Sequence, residues 1–220
     1  MKRLLFISVV MLVLNSCAVR NKVPWYADLM EKPSEAATAI GPEGKLETRY
    51  YEAHDGGPEV RRMQVYLPEN YGRTERRYPV LYLLHGAQGN DMSWIQRGRV
   101  IQTVDSLRRA GKIGDFIVVM PNVNQYKDQK DCGNSRPKKA VESLFEVDGA
   151  VGANFMQDVV AAVDSMYLTI PSKNSRAICG LSVGALQSIF ISARNPDSFG
   201  YLGLFSPFYK APPRHGSYSW

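Results

Sequence analysis

Ala177-Ile178-Cys179-Gly180-Leu181-Ser182-Val183-Gly184-Ala185 decides how this chain is read, because an apolar, strand-like run breaks there into Gly-x-Ser-x-Gly before a helix-like run begins. A serine hydroxyl is a weak nucleophile at neutral pH, so a protein that uses one must expose it on a sharp turn and set a base beside it. A tight strand-to-helix turn crowds the positions two residues on either side of the serine. Gly180 and Gly184 meet that demand by having no side chain. The spacing therefore predicts Ser182 at the tip of an elbow, in the role of nucleophile.

The rest of the chain supplies the sheet that such an elbow needs. Residues 46–53 and 59–67 alternate apolar with polar, and the turn-forming Asp55-Gly56-Gly57-Pro58 joins them, which predicts a leading antiparallel hairpin. Tyr78-Pro79-Val80-Leu81-Tyr82-Leu83-Leu84 and Phe116-Ile117-Val118-Val119-Met120 are unbroken apolar runs, as expected of strands buried on both faces. The first ends at His85-Gly86 and the second at Pro121-Asn122. Residues 100–110 show helical spacing closed by Gly111, and in residues 153–167 an apolar stripe joins Phe155, Val159, Val160, Val163 and Met166. Asp158 and Asp164 fall off that stripe and read as helix surface. Residues 175–179 form the strand before the elbow, 185–194 the helix after it, and 201–206 the last strand. The polar stretch 122–152 reads as a long surface excursion.

Strands alternating with helices predict a mostly parallel sheet with helices on both faces. Ligands of such sheets bind at the carboxyl ends of the strands, where both the His85-Gly86 loop and Ser182 fall. The two motifs are thus expected to converge.

At 220 residues, with 45% hydrophobic and 22% charged residues, the chain suits one domain with a substantial core rather than a disordered polymer. Its formal charge is +6, of which Lys2 and Arg3 lie in an export-like segment, leaving about +4 on the rest. The remaining basic residues are scattered in short clusters such as Arg61-Arg62 and Lys138-Lys139, so no nucleic-acid partner is expected.

Residues 1–16 have the build of a signal peptide, with Met1-Lys2-Arg3 followed by an apolar run too short to span a bilayer comfortably. Leu14-Asn15-Ser16-Cys17 resembles the lipobox of bacterial lipoproteins. That resemblance implies lipidation of Cys17 and an exported, membrane-anchored protein at the periplasm or cell surface, while Pro24, Pro33, Gly41 and Pro42 mark residues 17–44 as a tether and lead-in. The folded domain is expected over 45–220. Of the other two cysteines, Cys132 and Cys179, the second lies in a buried strand, and both are expected to be free thiols. No C-x-x-C pair or His/Cys cluster suggests a metal, and no cofactor motif is present.

Acyl transfer builds negative charge on a carbonyl oxygen, which backbone N–H groups can stabilise. Two donors are expected here: the N–H of Val183, immediately after the nucleophile, and that of Ala87, in the loop after Leu84.

These motifs together resemble the esterase branch of the α/β-hydrolases that includes feruloyl and acetyl-xylan esterases, esterase D and the mycolyltransferases. Beyond the elbow, the likeness runs through Val65-Tyr66-Leu67-Pro68, the strand ending in His85-Gly86, Ile117-Val118-Val119-Met120-Pro121 and Asn195-Pro196-Asp197-Ser198-Phe199-Gly200. It implies the same oxyanion donors, Ala87 and Val183, and an acylated carbohydrate or small ester as substrate. His85 is then part of the loop scaffold, and His54, in a turn, is merely exposed. Trp94, Tyr126 and Phe208 could line an aromatic acyl pocket or simply pack in the core.

The family places its acid and histidine after later strands, many tens of residues past the serine. Only His215 follows Ser182 here, within Lys210-Ala211-Pro212-Pro213-Arg214-His215-Gly216, which resembles neither a strand end nor the family's histidine loop. It is a poor candidate for the base. The expectation is an α/β-hydrolase-type fold lacking its final strands, with an exposed edge after residues 201–206. Three readings follow: an exported serine esterase, a truncated inactive homologue, and a lipid-anchored binding protein that reuses the fold.

Overall fold

The computed structural model describes residues 43–54, 60–87, 89–123 and 150–207. Six strands form one sheet in the order β1-β2-β4-β3-β5-β6. They are β1 (Lys45–Glu52), β2 (Val60–Leu67), β3 (Val80–Leu84), β4 (Ile117–Pro121), β5 (Arg176–Leu181) and β6 (Tyr201–Phe205). The leading strands β1 and β2 pair antiparallel, and β2 pairs antiparallel with β4. From β4 through β3 and β5 to β6 every pairing is parallel. This is the mixed, mostly parallel sheet expected from the sequence.

The apolar runs are strands because both of their faces are covered. All five residues of β3 and all five of β4 are buried, in keeping with the absence of alternation in those segments. One face carries Val80, Tyr82, Leu84 and Ile178 under a layer that includes Phe155, Val159, Val163 and Ile191. The other carries Leu81, Leu83, Val118 and Cys179 under Trp94, Val100, Ile101 and Val104. Fully burying one such aliphatic side chain contributes about 1.5–3 kcal/mol, so the two layers dominate stability.

On the Trp94 side lie a single turn, α1 (Ser93–Gln96), and α2 (Val100–Arg109). Gly111 ends α2 in the left-handed region at φ 64°, with the N–H of Lys112 donating to the carbonyl of Leu107 at 3.0 Å. On the other side lie α3 (Ala150–Phe155), a π-helical turn (Met156–Val160), α4 (Ala161–Met166) and α5 (Val183–Arg194).

The π turn corrects two expectations. An extra residue in the turn rotates everything after it, so Met166, placed on the buried stripe by regular spacing, is 41% exposed while Tyr167 is buried. Asp158 is not helix surface either. It is buried within the π turn and accepts the backbone N–H of His54 at 2.9 Å. Asp164, also expected on the surface, accepts the Thr169 hydroxyl at 2.7 Å and pairs with the guanidinium of Arg176.

Among the described residues β6 stands at the edge of the sheet, and its Leu202 and Leu204 are exposed. Cys179 is buried with a free thiol, and burial pushes its pKa up to about 12, where it packs as a small hydrophobe. Cys17, Cys132 and the hairpin turn at 55–58 lie outside the described residues.

Candidate active site

Ser182 sits between the end of β5 and the start of α5 with φ 56° and ψ −116°, a backbone conformation that a residue with a Cβ rarely adopts. Strain of this kind costs on the order of 1–3 kcal/mol and persists only where the surroundings enforce it. Here the enforcement is visible. The N–H of Ser182 donates to the carbonyl of Phe205 on β6 at 2.8 Å, and the Ser182 carbonyl accepts the N–H of Ala185 at 3.0 Å. A Cβ on Gly180 would lie 2.1 Å from the carbonyl carbon and oxygen of Gly184. One on Gly184 would lie 2.5 Å from the carbonyl oxygen of His85 and 2.6 Å from that of Leu84. The elbow therefore closes on itself at one glycine and docks on the end of β3 at the other.

That docking brings the two sequence motifs together. β3 and β5 are neighbours with Leu84 opposite Gly180, so the loops leaving them share one end of the sheet. A Cβ added to Gly86 would stand 3.7 Å from the Cβ of Ser182. The N–H of Gly89 donates to the carbonyl of Gly86 at 2.9 Å, forming a turn in which Ala87 follows the accepting residue and its own N–H is not used by the turn. Val183 is the first residue of α5, and the N–H of such a residue has no acceptor within its own helix.

His85 is buried, and its ring is committed. Nδ1 donates to the carbonyl of Gly86 at 2.8 Å, while Nε2 accepts the N–H of Val123 at 3.1 Å. The second bond requires a lone pair on Nε2 and so fixes the neutral tautomer that carries its proton on Nδ1. Burial also holds its pKa below the usual histidine range. His85 is thus a strut of the loop, as the sequence suggested, and has no free nitrogen to act as a base.

His54 is exposed as expected, but it is not idle. Its ring is exposed, but Nδ1 lies 2.7 Å from Asp158 Oδ1, and its carbonyl accepts Asn154 Nδ2 at 2.6 Å. This His-Asp pair adjoins the end of β1, four strands from β5 in the sheet order, or roughly 19 Å at the usual strand spacing. It is not the partner of Ser182. The hydrogen bond and the charge of Asp158 raise the His54 pKa above its ordinary value. A raised folded-state pKa means the pair's stabilisation is fully present below about pH 6.5 and fades as pH rises through the folded-state value. His54→Ala is accordingly expected to lower the melting temperature most at pH 6, with the gap from wild type closing toward pH 9 in thermal melts.

Trp94 belongs to the core. It is 4% exposed and meets Phe205 edge-on at 5.8 Å, so packing explains it without an acyl pocket. Tyr126, Phe208 and His215 lie outside the described residues. Among the described residues no group of three or more His, Cys, Asp or Glu side chains could hold a metal ion.

Sequence reading missed one further feature beside the loop. Asp91 is fully buried and accepts Arg62 Nε at 2.7 Å, Arg62 Nη2 at 3.0 Å and Gln64 Nε2 at 2.7 Å. The only signal in the sequence was a carboxylate just after the turn-like Gly89-Asn90, which reads equally well as solvent-facing.

Comparison with known proteins gives the family and the fold. Residues 58–215 match the family described as "Putative esterase". An endo-1,4-beta-xylanase/feruloyl esterase of Xylanibacter ruminicola is 36% identical over 148 residues, which cover 64% of this chain and 19% of that protein. A ferulic acid esterase from Anaeromyces mucronatus, solved in complex with ferulic acid, superposes with a TM-score of 0.64 at 22% identity, over 86% of this chain and 65% of that one. The S-formylglutathione hydrolase of Staphylococcus aureus superposes with a TM-score of 0.53 at 18% identity, over 78% and 62% of the two chains. The chain thus spans about a fifth of its xylanase/feruloyl esterase relative and less than two thirds of these solved structures.

Proposed function

The chain belongs to the esterase family, and from that premise we propose that it hydrolyses carboxylic esters through an acyl-enzyme formed on Ser182. The observation that carries this reading is the backbone of Ser182, held at φ 56° and ψ −116° between two glycines that admit no side chain and set against the Gly86 loop. Strain enforced from both sides is reasonable where it presents a reactive atom.

In this reading Ser182 Oγ attacks the ester carbonyl and loses its proton to a base. The N–H groups of Ala87 and Val183 hold the developing oxyanion, an arrangement in which each donor contributes roughly 3–4 kcal/mol to the transition state. The C–O bond to the alcohol breaks and the alcohol leaves with a proton. Water then attacks the acyl-serine and releases the acid. Neither His85, whose nitrogens are both engaged, nor His54, four strands away, fits the role of base. That role falls to a residue outside the described ones, with His215 the histidine to test first.

The substrate class favoured is an acyl group carried on a polysaccharide. The name of the Xylanibacter relative, which couples a xylanase to a feruloyl esterase, supports it. The test is pre-steady-state kinetics with p-nitrophenyl acetate and methyl ferulate. The expected result is a burst of about one equivalent of product per chain before the steady rate, present in wild type and absent from Ser182→Ala. Binding of either ester without turnover would favour a non-catalytic binding protein.

The proposal extends to location. Residues 1–17 support an exported lipoprotein anchored through Cys17, since several acyl chains make a lasting anchor where one alone holds only marginally. Cys17→Ser is expected to move the protein from the membrane fraction to the soluble fraction of a bacterial host and to abolish labelling by radioactive palmitate.

A further inference from the structure

We propose that Asp91 is a positioning residue for the loop that carries Ala87, tying that loop to β2 so that its backbone N–H points where an oxyanion forms. The inference rests on the esterase reading of Ser182.

A closed circuit of hydrogen bonds runs around the loop. It begins at Arg62, whose carbonyl accepts the N–H of Asn122 at 2.9 Å as β4 ends. The next residue, Val123, donates to His85 Nε2, and His85 Nδ1 donates to Gly86. The Gly86 carbonyl also accepts the N–H of Gly89, and Ala87 lies inside that turn. Asn90 continues the tight path: its N–H donates to Ser93 Oγ at 2.9 Å and its Oδ1 accepts the N–H of Met92 at 2.9 Å. Asp91 then closes the circuit by accepting the guanidinium fork of Arg62, the residue at which it began.

The chemistry of this closure suits a fixed loop. A bidentate guanidinium-carboxylate pair sets distance and angle together, unlike a single bond. Its Asp91 side is wholly buried, so water does not compete for it. Gln64 adds a third bond to the carboxylate while its Oε1 accepts the Thr48 hydroxyl at 3.0 Å, which extends the brace to β1. The loop is therefore referenced to the antiparallel half of the sheet, while Ser182 is referenced to the parallel half. Misplacing a catalytic donor by about 1 Å can cost on the order of 10²-fold in rate, so a small slackening of the loop should be visible in turnover.

The test compares Asp91→Asn with Asp105→Asn, both made in the full chain. Asp105 is also a buried carboxylate, accepting the Tyr66 hydroxyl and the N–H of Glu43, but it lies in α2 and bonds partners at the opposite end of the sheet from Ser182. The expected result is that Asp91→Asn lowers kcat on p-nitrophenyl acetate about 10-fold or more with KM within about 3-fold, while Asp105→Asn lowers the melting temperature and leaves kcat within about 2-fold. Amide exchange across residues 86–93 should accelerate in Asp91→Asn alone. Should Asp91→Asn not fold, Arg62→Lys keeps the charge and loses the fork, and is expected to give the same pattern more weakly. An unchanged kcat, or equal losses in the Asp91 and Asp105 variants, overturns the proposal. If wild type shows no Ser182-dependent turnover, the esterase reading fails separately, and exchange across residues 86–93 alone decides: acceleration sustains the loop assignment, and no change overturns it.

Discussion

Gly180→Ala is expected to leave little folded protein. The added Cβ would lie 2.1 Å from two backbone atoms of Gly184 and 2.6 Å from the nitrogen of Ala185, and none of these can swing aside as a side chain would. Relief requires that α5 move away from β5. But α5 is fixed by the close approach of Gly184 to Leu84 at the end of β3 and to His85 in the loop after it, and its Ile191 is wholly buried beneath the sheet. Overpacking a well-filled core costs about 1–3 kcal/mol, and a clash against rigid backbone belongs above that range. Against a total stability on the order of 5–15 kcal/mol, such a loss is large. Chemical denaturation should show the midpoint falling sharply or the native baseline disappearing.

Ser182→Ala is expected to do the opposite: to keep the fold and remove the chemistry. Alanine retains the Cβ, so the strain at φ 56° is the same in both proteins, and the bond from the residue 182 N–H to Phe205 is unaffected. The melting temperature should stay within about 2 °C of wild type, corresponding to about 1 kcal/mol or less in a domain of this size. Ester turnover should fall by about 10³-fold or more, because without Oγ no acyl-enzyme can form and only the binding and oxyanion contributions remain. A comparable fall in His215→Ala, with the fold intact, would identify the base.

Much of this was legible in the sequence, and for physical reasons. β3 and β4 have no polar residue to break their runs because both of their faces are covered, so composition alone marks them as central strands. Gly180 and Gly184 announce the elbow because their spacing about the serine is a local pattern, although only the clash Gly180 avoids is local; that of Gly184 is with Leu84 and His85. What was not legible depends on contacts between distant segments or on a slip of phase. Asp158 lies beside the apolar stripe as surface residues do, and its burial depends on His54, 104 residues away, whose N–H and ring it bonds. Asp91 reads as one more polar residue in a turn. Its role follows from Arg62 and Gln64, which β2 presents only after β2 has paired with β4. Trp94 looked as much like a pocket wall as a core residue, and the distinction came from its packing on Phe205.

The central claim, that this elbow presents an activated serine, is tested most directly by treating the folded full-length chain with a fluorophosphonate and measuring its intact mass and peptide map. The account predicts one adduct per chain, confined to the peptide that contains Ser182 and missing from Ser182→Ala. A folded chain that takes up no adduct, or takes it up on another residue, would contradict it.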